Sequence, residues 1–333
     1  MKIYRLLGLL SIMIGMFMTS CEQKETPVQL PTQSDAIYAS VEMGEDFADQ
    51  IFYDFETSSI VRTSKINSWE LAFETGANER NIFMNGGANV GIYKTGKYNL
   101  TEVMTPPEII DEDWGYDSPS GLSDSTYLDG WAEANGISKN EVYIIKISPS
   151  IYKDTFKKIQ LISVSSTEYV MLVADLRSKI STKVVVPKDD NYNYAYLSLA
   201  EGGSIVNPEP PKKTWDIVFT RYKHIYFELS NFPYVVTGAM INPYNTSAYK
   251  DSTIAFHDID ATLATKVKYV NNRDIIGFDW KSYNIDKGRY TVDQSKNYII
   301  KNRNGQYWKL HFLNYYNNIG IKGSPSFEFQ RIL

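Results

Sequence analysis

Residues 298–312, with the sequence YIIKNRNGQYWKLHF, contain the strongest fold signal in this chain. Apolar and polar side chains alternate on both sides of Asn304-Gly305, as they do in half-buried strands. Asn-Gly suits a two-residue turn between antiparallel strands, because both turn residues must tolerate positive φ. The stretch therefore predicts a β-hairpin.

Short alternating segments recur along the rest of the chain, separated by clusters of Gly, Asn, Pro and Asp that mark turns. The heavy use of aromatic residues, with 25 Tyr, 15 Phe and 6 Trp, suits strands, because a ring fits a pleated surface with one face covered. Strands are predicted at 50–55, 142–147, 158–164, 169–173, 215–219, 298–301 and 308–312. With two short helices predicted at 128–135 and 258–267, the expected class is all-β.

An internal repeat is visible, because four sequence features recur in the same order. The clearest pair is the two tryptophan-led strands at Trp69 and Trp215. The repeated segments are 52–55 with 196–199, 68–73 with 214–219, 142–146 with 297–301, and 158–161 with 309–312. Since the order is kept while the loops vary in length, the sequence predicts two tandem antiparallel β lobes, residues 36–180 and 181–333.

The first 35 residues predict an exported, lipid-anchored protein. Lys2 and Arg5 precede an apolar run that is too short and wrongly flanked for a membrane helix, which indicates a cleaved signal peptide at 1–20. Small residues precede Cys21, as in bacterial lipoprotein signals, where this cysteine is acylated and becomes the new N-terminus. Cys21 is the only cysteine in the sequence, and it is the predicted lipidation site. Residues 21–35 are polar and predict an extended tether.

Composition narrows the function further. With its single cysteine acylated, the folded part has no thiol for a disulfide, a metal site or a nucleophile. The formal net charge of −5 argues against a nucleic-acid partner, which normally needs a clustered basic surface. No Ser-His-Asp order, HExxH, GxSxG or phosphate loop is present in the sequence. The prediction is a non-enzymatic protein without catalytic residues.

The C-terminal half contains WDIVFTR at 215–221, Thr237-Gly238, and an ending from 301 to 312 and on through GSPSFEF at 323–329. In these residues it resembles the HmuY-like family of haem-binding surface lipoproteins. Residues 195–333 resemble the family well, and 37–176 resemble it only as a diverged copy. The resemblance implies an all-β antiparallel fold that clamps one haem in a cleft between loops. It also implies capture of haem outside the cell and its transfer to a TonB-dependent outer-membrane receptor.

The resemblance further implies a His or Met pair as axial haem ligands. His257 is the first candidate for the iron, because it follows the Thr-Gly element and Asp258 beside it is placed to orient an imidazole. Met240 and His224 complete the candidate cofactor-binding residues. A local hydrogen bond for the histidine and a core position for the methionine are the alternatives. His311 is expected to be a sheet-face residue, because its strand neighbours are apolar.

These features predict a lipid-anchored, haem-binding protein at the cell surface, held in the outer membrane and used for haem and iron acquisition. The alternative is a surface lipoprotein of the same fold that binds a glycan or a protein. Aromatic residues at 114–116 and 191–194 favour sugar stacking in that alternative. The acidic residues 111–113 and Asp117 lack EF-hand spacing, so they predict a solvated acidic loop rather than a calcium site.

Overall fold

The computed structural model describes residues 35–44, 46–109, 113–147 and 155–333. The predicted signal peptide at 1–20, Cys21 and nearly all of the tether lie outside these residues, as do Asp111 and Glu112. Within the described ranges, no helix is both long enough and apolar enough to cross a membrane. Regular structure is almost entirely β, which confirms the predicted all-β class.

Twenty strands, all paired antiparallel, make up the described fold. In chain order they are β1 Ile37–Ser40, β2 Asp49–Asp54, β3 Ser59–Lys65, β4 Leu71–Glu74, β5 Ile82–Met84, β6 Gly91–Lys94, β7 Val142–Lys146, β8 Phe156–Val164, β9 Glu168–Asp175, β10 Thr182–Pro187, β11 Tyr194–Ser198, β12 Ser204–Val206, β13 Ile217–Tyr226, β14 Phe232–Ile241, β15 Ser247–Asp251, β16 Lys281–Asn284, β17 Arg289–Val292, β18 Asn297–Lys301, β19 Tyr307–Tyr316 and β20 Lys322–Arg331. An α-helix, α1 (Ala261–Ala264), and short 3-10 helices connect them, the latter at Gly86–Ala88, Leu100–Glu102, Ser123–Ser125, Ala200–Gly202, Phe227–Leu229 and Phe256–Asp258.

The strands form two sandwiches, each made of a five-stranded and a four-stranded sheet. Lobe 1 contains the sheets β10-β9-β8-β7-β6 and β12-β11-β4-β5. Lobe 2 contains the sheets β1-β20-β19-β18-β15 and β14-β13-β2-β3, and the hairpin β16-β17 is a separate two-stranded sheet. Alternate side chains of both sheets fill each core, among them Phe73 and Leu161 in lobe 1 and Phe219 and Phe312 in lobe 2.

The two lobes have the same strand order. In the five-stranded sheets, β10-β9-β8-β7-β6 corresponds to β1-β20-β19-β18-β15, and in the four-stranded sheets β12-β11-β4-β5 corresponds to β3-β2-β13-β14. Each of the four repeated sequence pairs therefore occupies corresponding strands or the residues beside them. Even the irregularities match, since the pairing shifts after Leu161 in β8 and after Phe312 in β19.

The lobes do not divide at residue 180. β1 to β3 come from the start of the chain but belong to lobe 2, where β1 pairs with β20 and β2 pairs with β13. β10 to β12 remain with lobe 1, where β10 pairs with β9 and β11 pairs with β4. Because strands joined by short connections tend to pair with each other, β10 takes the edge beside β9. The first strands of the chain then close the last sheet.

The tryptophan that precedes the first strand of each lobe has a matched environment. Trp215 is fully buried and its ring centre lies 5.0 Å from that of Phe52, edge to face. Trp69 is partly buried and its ring centre lies 4.8 Å from that of Tyr196, with the same kind of geometry. The two aromatic partners lie on the corresponding strands β2 and β11.

Two local expectations differ from the structure. The hairpin of β18 and β19 is present, but its loop spans residues 302–306 instead of two residues, because the Asn302 side chain accepts hydrogen bonds from the N–H groups of Asn304 and Gln306 at 3.1 and 3.0 Å. Residues 128–135 form turns and contain no helix. Gly130 there has φ of +71°, a left-handed conformation that ends helices.

Candidate functional site

The outer faces of the two four-stranded sheets meet across a cavity of about 100 Å³. Alternation along β13 explains how this wall forms: Phe219 packs in the core of lobe 2, whereas Val218 faces outward. The apolar and aromatic lining residues are Trp69, Phe83, Tyr194 and Tyr196 from lobe 1, and Phe52, Val218, Tyr222 and Met240 from lobe 2.

Gly86 and Gly87 allow lobe 1 to approach the backbone of β13. A Cβ atom on Gly87 would lie 2.3 Å from the carbonyl oxygen of Arg221, and one on Gly86 would lie 2.7 Å from the Cβ of Lys223. This part of β13 is accessible to lobe 1 because β2 pairs only with residues 217–219. A larger residue at either glycine would push the lobes apart.

Three cationic side chains line the cavity. Lys223 contacts Asn89 of lobe 1 through its Nζ, which also lies 4.2 Å from the ring centre of Tyr116. Burial lowers the pKa of Arg221, although Asp46 opposes this effect. The guanidinium carbon of Arg273 lies 5.4 Å from the ring centre of Tyr194.

The two buried carboxylates nearby already have hydrogen-bond partners. Asp117 accepts two backbone N–H groups, at 2.6 and 2.7 Å, and burial raises its pKa to about 7 against the effect of these bonds. Glu209 accepts hydrogen bonds from the Tyr196 hydroxyl and from the Asn193 amide. Burial also raises the pKa of Glu209. Glu209 and Arg273 are close enough for each charge to shift the pKa of the other, but neither carboxylate accepts a hydrogen bond from the unsatisfied N–H groups of the wall.

Those unsatisfied donors are Trp69 Nε1, Arg221 Nε and Arg273 Nε. Each is buried, and none has a hydrogen-bond partner among the residues that the structure describes. A buried N–H without an acceptor loses the hydrogen bond that it makes to water, at a cost of about 1–3 kcal/mol. The cavity therefore has an excess of donors over acceptors and a surplus of positive side chains.

Met240 and His224 lie on this same face of lobe 2, but far apart. Met240 is buried in β14, pairs with Val218 in β13, and lines the cavity. His224 lies six residues further along β13. At a strand rise of about 3.3 Å per residue, the two Cα atoms are about 20 Å apart. One iron atom therefore cannot be bound by both side chains.

His257 lies on the opposite side of lobe 2. Its side chain is 83% exposed, and its Nε2 lies 3.2 Å from Asp258 Oδ1. The preceding Phe256 stacks on His311 of β19, with ring centres 4.0 Å apart. His311 is the sheet-face residue that was expected, although it is buried and its Nε2 lies 2.9 Å from Glu328 Oε2. The structure brings no two of the three predicted haem residues together.

His224 has the most distinctive surroundings of the three. Its ring centre lies 4.7 Å from that of Tyr226 and 5.0 Å from that of Phe278. Its Nδ1 is buried and has no hydrogen-bond partner among the described residues. Beside it, the end of the β13–β14 hairpin exposes large apolar side chains, namely Phe227, Leu229, Phe232 and Tyr234.

A second, wider cleft of about 530 Å³ opens beside this hairpin. Its walls include Phe232 and Tyr234 from the hairpin and Tyr116 from lobe 1, and Lys223 and Arg221 add positive charge. The clefts share Gly87, Arg221 and Lys223, so the inner cavity and this outer cleft are neighbours.

The residues expected to stack on sugars are largely used in packing. Trp114 and Tyr194 are buried, and Trp114 stacks on Phe156 with ring centres 5.9 Å apart. Of the predicted acidic loop, Asp113 is exposed as expected, whereas Asp117 is buried. The described ranges contain no group of three or more His, Cys, Asp or Glu side chains that would hold a metal ion.

Sequence reasoning did not identify Arg221, Arg273 or Trp69 as residues of one site. The pair Gly86-Gly87 was an available signal, because consecutive glycines indicate close backbone approach. Arg273 has no such signal, since it lies in a loop without periodicity. It reaches the cavity through the fold, where its backbone N–H donates to the Ser120 carbonyl of lobe 1 at 2.8 Å.

Solved structures similar to this chain include one from Porphyromonas gingivitis and one from Tannerella forsythia. Apo PinO from Porphyromonas gingivitis is 11% identical, with 90% of this chain and 98% of that chain covered and a TM-score of 0.35. The apo HmuY analog of Tannerella forsythia is 9% identical, with 90% and 98% covered and a TM-score of 0.26.

No curated protein matches the chain significantly. The model of the family described as HmuY protein matches residues 190–329. This range begins just before β11 and includes the whole of the β13–β14 hairpin and nearly all of β20. Residues 190–329 of this chain are therefore similar to the HmuY family.

Proposed function

We propose that this protein is a non-enzymatic, haem-binding surface lipoprotein that captures haem outside the cell for iron acquisition. The observation that carries the proposal is His224, a histidine with an unpartnered Nδ1 among aromatic rings, inside the region that matches the HmuY family. Haem is a flat apolar ring with an iron that binds imidazole. The exposed aromatic residues of the hairpin offer the stacking surface for such a ring.

The positions of the three candidate ligands favour His224 over the other two. His257 is solvent-exposed and lacks the apolar walls that haem needs, and Met240 is enclosed in the smaller inner cavity. His224 does not line the outer cleft, but it lies on the same hairpin, where it pairs with the exposed Tyr234. Lys223, the preceding residue, lines the cleft and adds positive charge. We therefore propose His224 as one axial ligand of a haem bound beside the exposed aromatic residues of the β13–β14 hairpin.

A haem titration of residues 22–333 tests this proposal. The wild-type chain is expected to develop a Soret band that saturates at one equivalent of haem. His224→Ala should weaken binding by at least tenfold, which is about 1.4 kcal/mol, because an iron–ligand bond is lost. His257→Ala is the matched control, since it removes an exposed imidazole on the other side of the lobe.

Two results would contradict the proposal in different ways. Loss of haem binding in His257→Ala with normal binding in His224→Ala would identify His257, the first candidate from the sequence, as the iron ligand. Absence of a saturable Soret band in the wild-type chain would favour the alternative, a glycan- or protein-binding lipoprotein of the same fold. The exposed Phe232 and Tyr234 rings, which stack with centres 6.4 Å apart, would then be the surface to test with sugars.

Anchoring is proposed from the N-terminal sequence alone. We infer that Cys21 is diacylated, holds the protein in the outer membrane and presents it at the cell surface, where a TonB-dependent receptor would accept its haem. Cys21→Ala should remove the acyl chains and release the protein from membranes. Membrane fractions washed with salt and carbonate give the measurement, and a variant that stays in the pellet would refute the anchor.

A further inference from the structure

We propose that the cavity between the lobes is a binding site for a small organic carboxylate, held by the N–H groups of Trp69, Arg221 and Arg273. All three residues line the cavity of about 100 Å³, and each has a buried N–H without an acceptor among the described residues. Two of the donors come from different lobes, since Trp69 precedes β4 and Arg221 lies in β13. The site exists only where the lobes meet.

The donor set determines the charge of the ligand. Arginine and indole N–H groups donate hydrogen bonds and cannot accept them, so the missing partner must be an acceptor. Asp117, which lines the cavity, and Glu209, which accepts the hydroxyl of the lining residue Tyr196, already accept two hydrogen bonds each. Because two of the unpaired donors are the Nε atoms of guanidinium groups, an anionic acceptor satisfies both the hydrogen bonds and the charge.

The walls determine the rest of the ligand. Phe83, Tyr194 and Tyr196 of lobe 1 face Phe52 and Met240 of lobe 2 across the cavity. Such apolar walls favour a ligand with an apolar body rather than a fully hydrated ion. The volume of about 100 Å³ excludes a haem and admits a ligand about the size of a single ring. A small carboxylate with an aromatic or aliphatic body fits both conditions.

This inference does not rest on the haem proposal. His224 does not line the inner cavity, and Trp69 and Arg273 do not line the outer cleft. Carboxylate binding at Trp69 and haem binding at His224 can therefore succeed or fail separately. A variant of His224 should leave the inner site unchanged.

Benzoate is the probe for the first experiment, with the complete mature chain and NMR detection of indole N–H signals. Trp69→Phe identifies the Trp69 signal by its disappearance. Benzoate is expected to shift this signal saturably and to raise the thermal unfolding midpoint, because a ligand that binds only the folded state stabilises it. Absence of a saturable shift, or a shift produced equally by inorganic phosphate, would overturn the proposed ligand class.

Arg273→Gln tests whether the guanidinium binds the carboxylate. Its benzoate affinity should fall by at least tenfold, whereas Arg289→Gln, which removes an exposed arginine of β17, should bind like wild type. Equal affinity in both variants would refute the site. If Arg273→Gln does not fold, Trp69→Phe provides the measurement by calorimetry, since it keeps the ring and removes only the N–H. Unchanged benzoate affinity in Trp69→Phe would equally refute the site.

Discussion

Lobe 1 and lobe 2 have the same strand order but very different first hairpins. In lobe 1 the hairpin is short, with β4 at Leu71–Glu74 and β5 at Ile82–Met84. In lobe 2 the corresponding strands, β13 and β14, each have ten residues and end in exposed aromatic side chains. A repeated scaffold therefore supports the fold in both lobes, whereas the extended hairpin that carries His224 is specific to lobe 2.

The lobes share one kind of carboxylate–backbone contact but differ in their buried ion pairs. In lobe 1 the Glu70 carboxylate accepts the Leu199 N–H at 2.6 Å, and in lobe 2 Asp216 accepts the Phe55 N–H at 2.8 Å. Lobe 2 adds a buried ion-pair network. Arg303 contacts both Asp54 of β2 and Asp216, the residue just before β13. This network links β2, from the start of the chain, to the loop between β18 and β19.

The largest expected effect comes from breaking that network. Arg303→Met should lower the free energy of unfolding by about 3–5 kcal/mol, because it leaves two buried carboxylates without their cation. Urea denaturation gives the measurement. Lys65→Met is the matched control, since Lys65 and Asp49 form a more exposed pair on β3 and β2, and its loss should cost less than about 1 kcal/mol.

A double-mutant cycle with Asp54→Asn tests directly whether β2 packs in lobe 2. The effects of Arg303→Met and Asp54→Asn should be strongly non-additive, because the two side chains touch across residues that are far apart in sequence. Additive effects would mean that β2 does not pack in lobe 2, and the correspondence between the lobes would then fail.

The loss of unfolding free energy on truncation of the two tryptophans to alanine should follow their burial. Trp215→Ala is expected to cost about 3–5 kcal/mol, because it removes a fully buried indole. Trp69→Ala should cost less, about 2 kcal/mol, because part of its ring is already in contact with solvent. Thermal or urea unfolding of both variants checks this order. A larger loss from Trp69→Ala would show that lobe 1, not lobe 2, limits stability.

The smallest expected effect is a pH dependence that arises from Lys281 of lobe 2. Burial lowers the pKa of Lys281 to about 7, although Asp279 opposes the shift. Above this value the folded state holds neutral lysine while the unfolded state keeps its proton, so stability should rise with pH. The gain is about 1–2 kcal/mol between about pH 7 and pH 9. Lys281→Met should flatten this slope, and an unchanged slope would contradict the assignment.

Most of the local structure can be predicted from the pattern of residues alone. Period-two alternation identified the strands at 142–147, 158–164 and 308–312, because side chains of a strand point to opposite faces whatever the strand pairs with. The order of repeated segments likewise indicated two similar lobes. Local prediction failed at 128–135, where Gly130 adopts a left-handed conformation that apolar spacing does not reveal.

Strand pairing and the contacts between distant side chains depend on tertiary packing and cannot be predicted from the local pattern. Alternation along β2 predicts which of its faces is buried. It does not predict whether β2 pairs with β4 or with β13, because the edges of both strands offer the same backbone hydrogen bonds. For the same reason, Trp69, Arg221 and Arg273 carry no shared signal in sequence. They meet because two sheets pack face to face, and that contact depends on the complete fold.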